Sequence, residues 1–217
     1  MPIKTHDEKI TAVKAFIQQH MGHEFELHDY LHAFRVLKNA QLILTKEPAN
    51  HIIVETAALV HDFVDDKLFD TIDTQIKLLK ELLTSLEYSS SEIEGILNII
   101  THLSYSSGKV PESKEGKIVQ DADRLDAIGA IGLLRPFTYG AVHSRPAYDS
   151  EVSSLSHFLE KKPKLKATLH TQPAKELAEQ RDKIMYLFLQ YLFAELDEDI
   201  YERKHFKKEL KDLGIIT

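Results

Sequence analysis

Apolar residues recur at helical spacing along most of this 217-residue chain, and only 8 glycines and 7 prolines interrupt them. Sparse turn residues between long periodic runs favour helices over a sheet of many short strands. Ile10, Val13, Phe16 and Ile17 predict a helix over about 7–21, and Leu31, Phe34, Leu37 and Leu44 a second over 29–45. After Glu47-Pro48 comes the apolar run 52–60. It is short enough for a buried strand, but Glu55, Ala57 and Ala58 favour a buried helix. Leucines at 78, 79, 82, 83 and 86 predict an amphipathic helix over 73–86. Three serines at 89–91 followed by Glu92 and Glu94 predict a capped helix running to about 103. A loop at 106–115 and a helix over 117–134 follow, with Gly129 and Gly132 letting a neighbouring helix approach. Pro136, Gly140 and Pro146 predict a long loop over 135–150, then helices near 151–161 and over 174–197. The expectation is an all-α fold in a single domain spanning 1–217. Its core would lie at about 25–135, with C-terminal helices at 151–200 packed on it.

Composition removes several classes of chemistry. The chain has no cysteine, which excludes disulfides, iron–sulfur clusters, thiolate zinc and cysteine nucleophiles. The opening MPIKTHDEKI lacks the apolar stretch of a signal peptide, and no window approaches the roughly 18 apolar residues of a membrane span. A cytoplasmic location is therefore expected. The formal net charge is −7 and no basic stripe stands out, so no nucleic acid polymer is expected as a partner. An anionic small substrate would meet net repulsion unless a local cation offset it.

Polar residues in apolar surroundings mark where such a cation could sit. His61-Asp62 closes the most apolar run, where a polar pair needs a reason to be buried. Asp123 lies inside a mostly apolar helix, and His32 sits in the second helix with Arg35 one turn further on. Two imidazoles and two carboxylates form a mixed nitrogen and oxygen site suited to Mn²⁺, Mg²⁺, Ni²⁺, Fe²⁺ or Zn²⁺, with positions left for water. Asp65 and Asp66, four and five residues after His61, are placed to take a proton from water. Arg35 offers a planar, permanently charged fork to a phosphate. Alternatives stay open at three points. His28 lies one turn before His32, Asp126 belongs to the same acidic cluster as Asp123, and His102 could contribute to a second metal.

The segment His28-Asp29-Tyr30-Leu31-His32-Ala33-Phe34-Arg35-Val36 resembles the opening HxxRV motif of the HD-domain metal-dependent phosphohydrolase superfamily. His61-Asp62 resembles the pair that names it, and Ala122-Asp123-Arg124-Leu125 its closing AD-x-L motif. The separations, 61 − 32 = 29 and 123 − 62 = 61, also fit. The resemblance implies a helical HD-domain bundle with one divalent metal between helices, held by His32, His61, Asp62 and Asp123. The stretch 61–66 is similar to the HDxxED segment of the ppGpp hydrolases, which implies that Asp65 and Asp66 assist the attack of water. Ala127 stands where those enzymes carry Asn, so their guanosine-tetraphosphate specificity is not implied.

Residues 119–132, His157-Phe158, Thr171 and Leu177-Ala178 with Arg181 resemble a subgroup of small bacterial proteins, the YpgQ/YedJ-like branch. That resemblance implies a nucleoside triphosphate pyrophosphohydrolase that releases pyrophosphate by attack of metal-activated water. Mn²⁺ is the favoured ion, and Mg²⁺, Ni²⁺, Co²⁺, Fe²⁺ and Zn²⁺ are alternatives. Asp65, Asp66 and Arg35 would be catalytic, a nucleotide or other small phosphorylated molecule the partner, and a homodimer is compatible. Three other readings are a nucleotide monophosphatase or cyclic-nucleotide phosphodiesterase, a non-catalytic nucleotide-binding regulatory module, and a di-iron oxygenase. The last would need further ordered histidines that the chain does not show.

Overall fold

The computed structural model describes residues 4–21, 29–64, 72–103, 110–148 and 152–196, those at 160–164 by their backbone alone. Every regular element among them is a helix. In chain order they are α1 (His6–His20), α2 (Tyr30–Leu44), α3 (His51–Val60), α4 (Ile72–Ser85), α5 (Ser90–His102), α6 (Lys114–Asp126), α7 (Ala130–Val142), α8 (Ser154–Ala167) and α9 (Gln172–Glu195). The fold is all-α. The described residues fall into two compact units, one running to Asp123 and the other starting at Arg124, so the division lies within the last turn of α6.

Local chemistry sets the helix starts. Thr5 and Ser89 each accept a bond from the backbone N–H three residues on, while the Glu8 and Glu92 carboxylates accept one from the cap N–H. Asp29 caps α2, Asn50 caps α3, Ser153 caps α8 and Thr171 caps α9 through their side-chain oxygens.

In the first unit α3 lies against α1, α2 and α5, and α4 packs on α5. Such surroundings explain why a ten-residue helix is apolar on nearly every side: Val54, Ala57, Ala58, Leu59 and Val60 are fully buried. Ala33 and Ala40 on α2 and Ala57 and Ala58 on α3 are small and buried, consistent with the close contact of these two helices. The buried Glu55 on α3 keeps its carboxylate among polar neighbours, with Gln41 Nε2 at 3.1 Å, His6 Nε2 at 3.3 Å and His51 Nδ1 at 3.7 Å.

In the second unit α7 packs against α8 and α9. Several features differ from the sequence expectation. The predicted helix over 117–134 is interrupted after Asp126, because Gly129 takes φ +94° and its N–H turns to the Met185 sulfur at 3.0 Å. A side chain at 129 would also meet the stem of Arg181, so both the backbone angle and the space require glycine. The predicted loop over 135–150 is instead helical as far as Val142, with Pro136 inside α7. Proline there cannot bond the carbonyl four residues back and its ring crowds that carbonyl, and packing of α7 on α8 and α9 offsets the cost. Ser144 then adopts φ +54° and the Arg145 N–H returns to the Gly140 carbonyl at 2.7 Å, closing the helix. Helix α8 also runs beyond its expected end, to Ala167, and α9 begins at Gln172 with proline in its first turn.

Between α4 and α5, Tyr88 is buried with its hydroxyl 2.8 Å from Thr56 Oγ1 and with Lys9 Nζ 4.7 Å from its ring centre. Burial pushes its phenol up to about 12, with Thr56 opposing and Glu92 and Glu55 adding to the rise. The fold thus favours the neutral phenol. That contribution is complete below the ordinary value near pH 10 and disappears as pH rises through about 12. Tyr88→Phe should cost about 1 kcal/mol at neutral pH from the lost hydrogen bond. Urea unfolding at pH 7, 10 and 12 should show the wild type losing stability more steeply than the variant across the alkaline interval.

Candidate metal centre

Three helices of the first unit bring their polar ends together. The Asp29 carboxylate accepts from the His32 N–H at 2.7 Å, which fixes where α2 begins and sets His32 in its first turn. His61 ends α3 as its C-terminal cap, still in helical conformation, and Asp62 follows in the turn. Asp123 comes from the last part of α6, after the buried Ile118, Val119 and Ala122.

The structure gathers four of the sequence-predicted residues. His32 Nε2 and His61 Nε2 are 3.3 Å apart with rings at 66°. Asp123 Oδ1 lies 3.4 Å from His32 Nε2 and 3.8 Å from His61 Nε2. Asp62 presents Oδ2 to His32 Nε2 at 3.5 Å and Oδ1 to His61 Nε2 at 3.3 Å. Donor atoms of His32, His61 and Asp123 all fall within 4.8 Å of one another. Asp62 is not part of that mutually close trio, although its two oxygens each face one imidazole.

Hydrogen bonding decides what these atoms can do. The His61 Nδ1 is 2.9 Å from the Ala58 carbonyl, a pure acceptor, so Nδ1 carries the proton and Nε2 of the neutral ring offers a lone pair. A second imidazole nitrogen and two carboxylates surround that lone pair. Four electron-rich groups this close require shared protons or a cation. Bonds of about 2.1 Å to one ion would place neighbouring donors about 3.0 Å apart in an octahedron and about 3.4 Å in a tetrahedron. The observed 3.3–3.8 Å spacings need only small adjustments to meet either arrangement. The donor set fits a divalent transition ion.

Burial divides the site into a closed and an open side. The His32 and His61 side chains are 2% and 3% exposed, whereas that of Asp123 keeps 32%. Burial by itself raises the Asp123 carboxyl, but its hydrogen bond with His32 and the charges of His61 and His32 outweigh that and hold it below the ordinary carboxylate range. It is therefore an anion at neutral pH, on the side open to solvent.

Other residues singled out from sequence lie elsewhere. Asp126, the rival of Asp123, faces Arg135 at 3.0 Å. Arg124 directs its guanidinium to the Thr168 carbonyl and to His170 Nε2 at 3.1 Å. His102 is exposed at the end of α5, with Nδ1 on the Asn98 carbonyl at 2.8 Å, and is not among the gathered donors. Arg35 is half-buried one turn beyond His32 on α2. His28, Asp65 and Asp66 lie outside the described residues. Sequence reasoning missed Asn39, buried on α2, whose Nδ2 donates to the Ala122 carbonyl at 2.9 Å. Its signal was present: a polar residue among Val36, Leu37 and Ala40, two turns after His32.

Comparison with known proteins gives consistent results. The HD-domain family pattern matches residues 29–128. The chain is 39% identical to YpgQ of Bacillus subtilis strain 168 over 184 residues, covering 83% of this chain and 90% of that one. The crystal structure of B. subtilis YpgQ in complex with ADP matches with a TM-score of 0.73 at 36% identity, over 88% of this chain and 98% of that chain. An HD-superfamily hydrolase from Bacillus thuringiensis matches with a TM-score of 0.75 at 37% identity, over 88% of this chain and 98% of that chain.

Adding Mn²⁺ to metal-stripped protein should raise its melting temperature, and a chelator should reverse the gain. His61→Ala and Asp123→Asn should each abolish the rise in a thermal-shift titration. The same titration should weaken as pH is lowered, because protons compete with the ion for imidazole lone pairs.

Proposed function

The chain belongs to the HD-domain family, and from that premise we propose that it is a metal-dependent hydrolase of nucleotides that releases pyrophosphate from nucleoside triphosphates. The observation that carries this reading is the convergence of two imidazole Nε2 atoms and two carboxylates, closed on the histidine side and open beside Asp123. The ADP complex of B. subtilis YpgQ supports a nucleotide as the ligand.

His32, His61, Asp62 and Asp123 hold the ion, with Mn²⁺ favoured because a mixed nitrogen and oxygen set suits it. When bound, the ion supplies a Lewis acid for phosphate oxygens and for water. Arg35, one turn from His32, neutralises a phosphate oxygen with its guanidinium. Asp65 and Asp66 orient the attacking water and accept its proton. Water oxygen bonds to the α-phosphorus, the bond to the bridging oxygen breaks, and pyrophosphate leaves while the nucleoside monophosphate remains.

A panel of nucleotides with Mn²⁺, Mg²⁺, Co²⁺ and Ni²⁺, with products separated by chromatography, tests the reaction. Pyrophosphate and a nucleoside monophosphate are expected in equal amounts. Orthophosphate as the first product would replace this reading with a phosphatase, and hydrolysis of cyclic nucleotides alone with a phosphodiesterase. Binding without turnover under any ion would leave a regulatory module. Arg35→Ala should lower kcat/KM by about ten- to a hundredfold, as expected for a lost charge-assisted contact of about 1.5–3 kcal/mol. Asp65→Asn and Asp66→Asn should lower kcat while leaving Mn²⁺ affinity near that of the wild type.

A further inference from the structure

The gathered donors come from elements held in place by different means. His32 and His61 belong to α2 and α3, which lie directly against each other. Asp123 belongs to α6, which has no comparably extensive backbone contact with the other described helices of its unit. Side chains must therefore set the position of α6 relative to α2. Two of the polar ties are exposed: Lys114 Nζ to Glu47 at 2.7 Å, and the Glu115 carboxylate accepting from the Asn50 N–H at 3.1 Å. Both involve the first turn of α6, roughly two to two and a half turns before Asp123. Solvent screens such exposed ties and weakens them.

Asn39 differs from both. It is 4% exposed, and its Nδ2 donates to the Ala122 carbonyl at 2.9 Å, next to the residue that carries the carboxylate. It follows His32 by 39 − 32 = 7 residues, close to two full turns of 3.6, so both side chains leave the same face of α2. One rigid stretch of helix thus holds His32 at one end and a buried clamp on α6 at the other. The Ala122 carbonyl can serve its own helix and this amide together, because a carbonyl oxygen has two lone pairs. A longer or shorter side chain at 39 would not meet it in the same register.

We propose that Asn39 is a positioning residue that fixes the distance between the Asp123 carboxylate and the two imidazoles and so sets the affinity of the site for its divalent ion. This rests on the reading of His32, His61, Asp62 and Asp123 as metal ligands. Residues that orient metal ligands from one shell out typically change affinity by about ten- to a hundredfold when removed. The effect of Asn39 should be of that order, and larger than any general loss of stability explains.

The test uses the full chain and Mn²⁺ alone, with affinity read by calorimetry and melting temperature measured in parallel on metal-free protein. Asn39→Ala should weaken Mn²⁺ binding at least about tenfold. Tyr88→Phe, a buried hydrogen-bond deletion away from the donors, should stay within about twofold of the wild type although it also lowers the melting temperature. Asn39→Ser, which keeps a polar atom but cannot reach Ala122, should behave like Asn39→Ala and takes its place if alanine prevents folding. An affinity within twofold of the wild type in both Asn39 variants would overturn the proposal, as would an equal loss in Tyr88→Phe. His61→Ala separates the two levels of argument. If it abolishes binding while the Asn39 variants stay within twofold of the wild type, the metal site stands and the positioning role falls. If the wild type itself binds no Mn²⁺, both fall.

Discussion

Four side chains that all prefer a positive partner converge within 3.3–3.8 Å at one end of a helical core, and this crowding is the constraint from which the rest follows. Two nearly inaccessible imidazole nitrogens beside two carboxylates would be a poor arrangement in a protein that did not supply a cation. The Ala58 carbonyl makes the requirement sharper, because by holding the proton of His61 on Nδ1 it turns the lone pair of Nε2 inward. Asp123 is the most solvent-exposed of the four side chains.

Keeping these groups in place is the work of the apolar packing behind them. Helix α3 is buried on nearly all sides and ends in His61-Asp62, so these two side chains project from a fixed point. Small residues on α2 and α3 fit the close contact between those helices, and the Asp29 cap decides where the first turn of α2 places His32. The contribution of α6 depends more on side chains, among them the buried contact of Asn39 on α2 with the Ala122 carbonyl.

The end of α6 shows how similar residues in a short stretch take separate tasks. Asp126 faces Arg135, and Arg181 donates from α9 at 2.7 Å to the Leu125 carbonyl, which also accepts from the Ile128 N–H at 3.1 Å. The stem of Arg181 lies against Gly129, where the chain turns into α7. Arg124 is occupied by Thr168 and His170. These charges all lie in the second unit, where they tie the 124–129 segment to α7 and α9.

The sequence by itself determined the helical class, because a period near 3.6 and scarce glycine and proline are local properties that need no partner. It also marked polar groups out of place: His61-Asp62 at the end of an apolar run, and His32 and the acidic cluster of Asp123 and Asp126 inside other helices. Only tertiary structure decided that Asp123 joins the imidazoles while Asp126 turns to Arg135, since the two are three residues apart and nothing local distinguishes their partners. It also decided that 135–142 is helical, because contact with α8 and α9 offsets the hydrogen bond Pro136 cannot make. The glycine at 129 breaks the preceding helix for a similar reason, its backbone angle being fixed by the approach of Arg181 and Met185 from far along the chain. Local patterns record what each segment prefers alone. Which preferences prevail depends on contacts between residues 83 positions apart, such as Asn39 with Ala122, and no window of the sequence contains both.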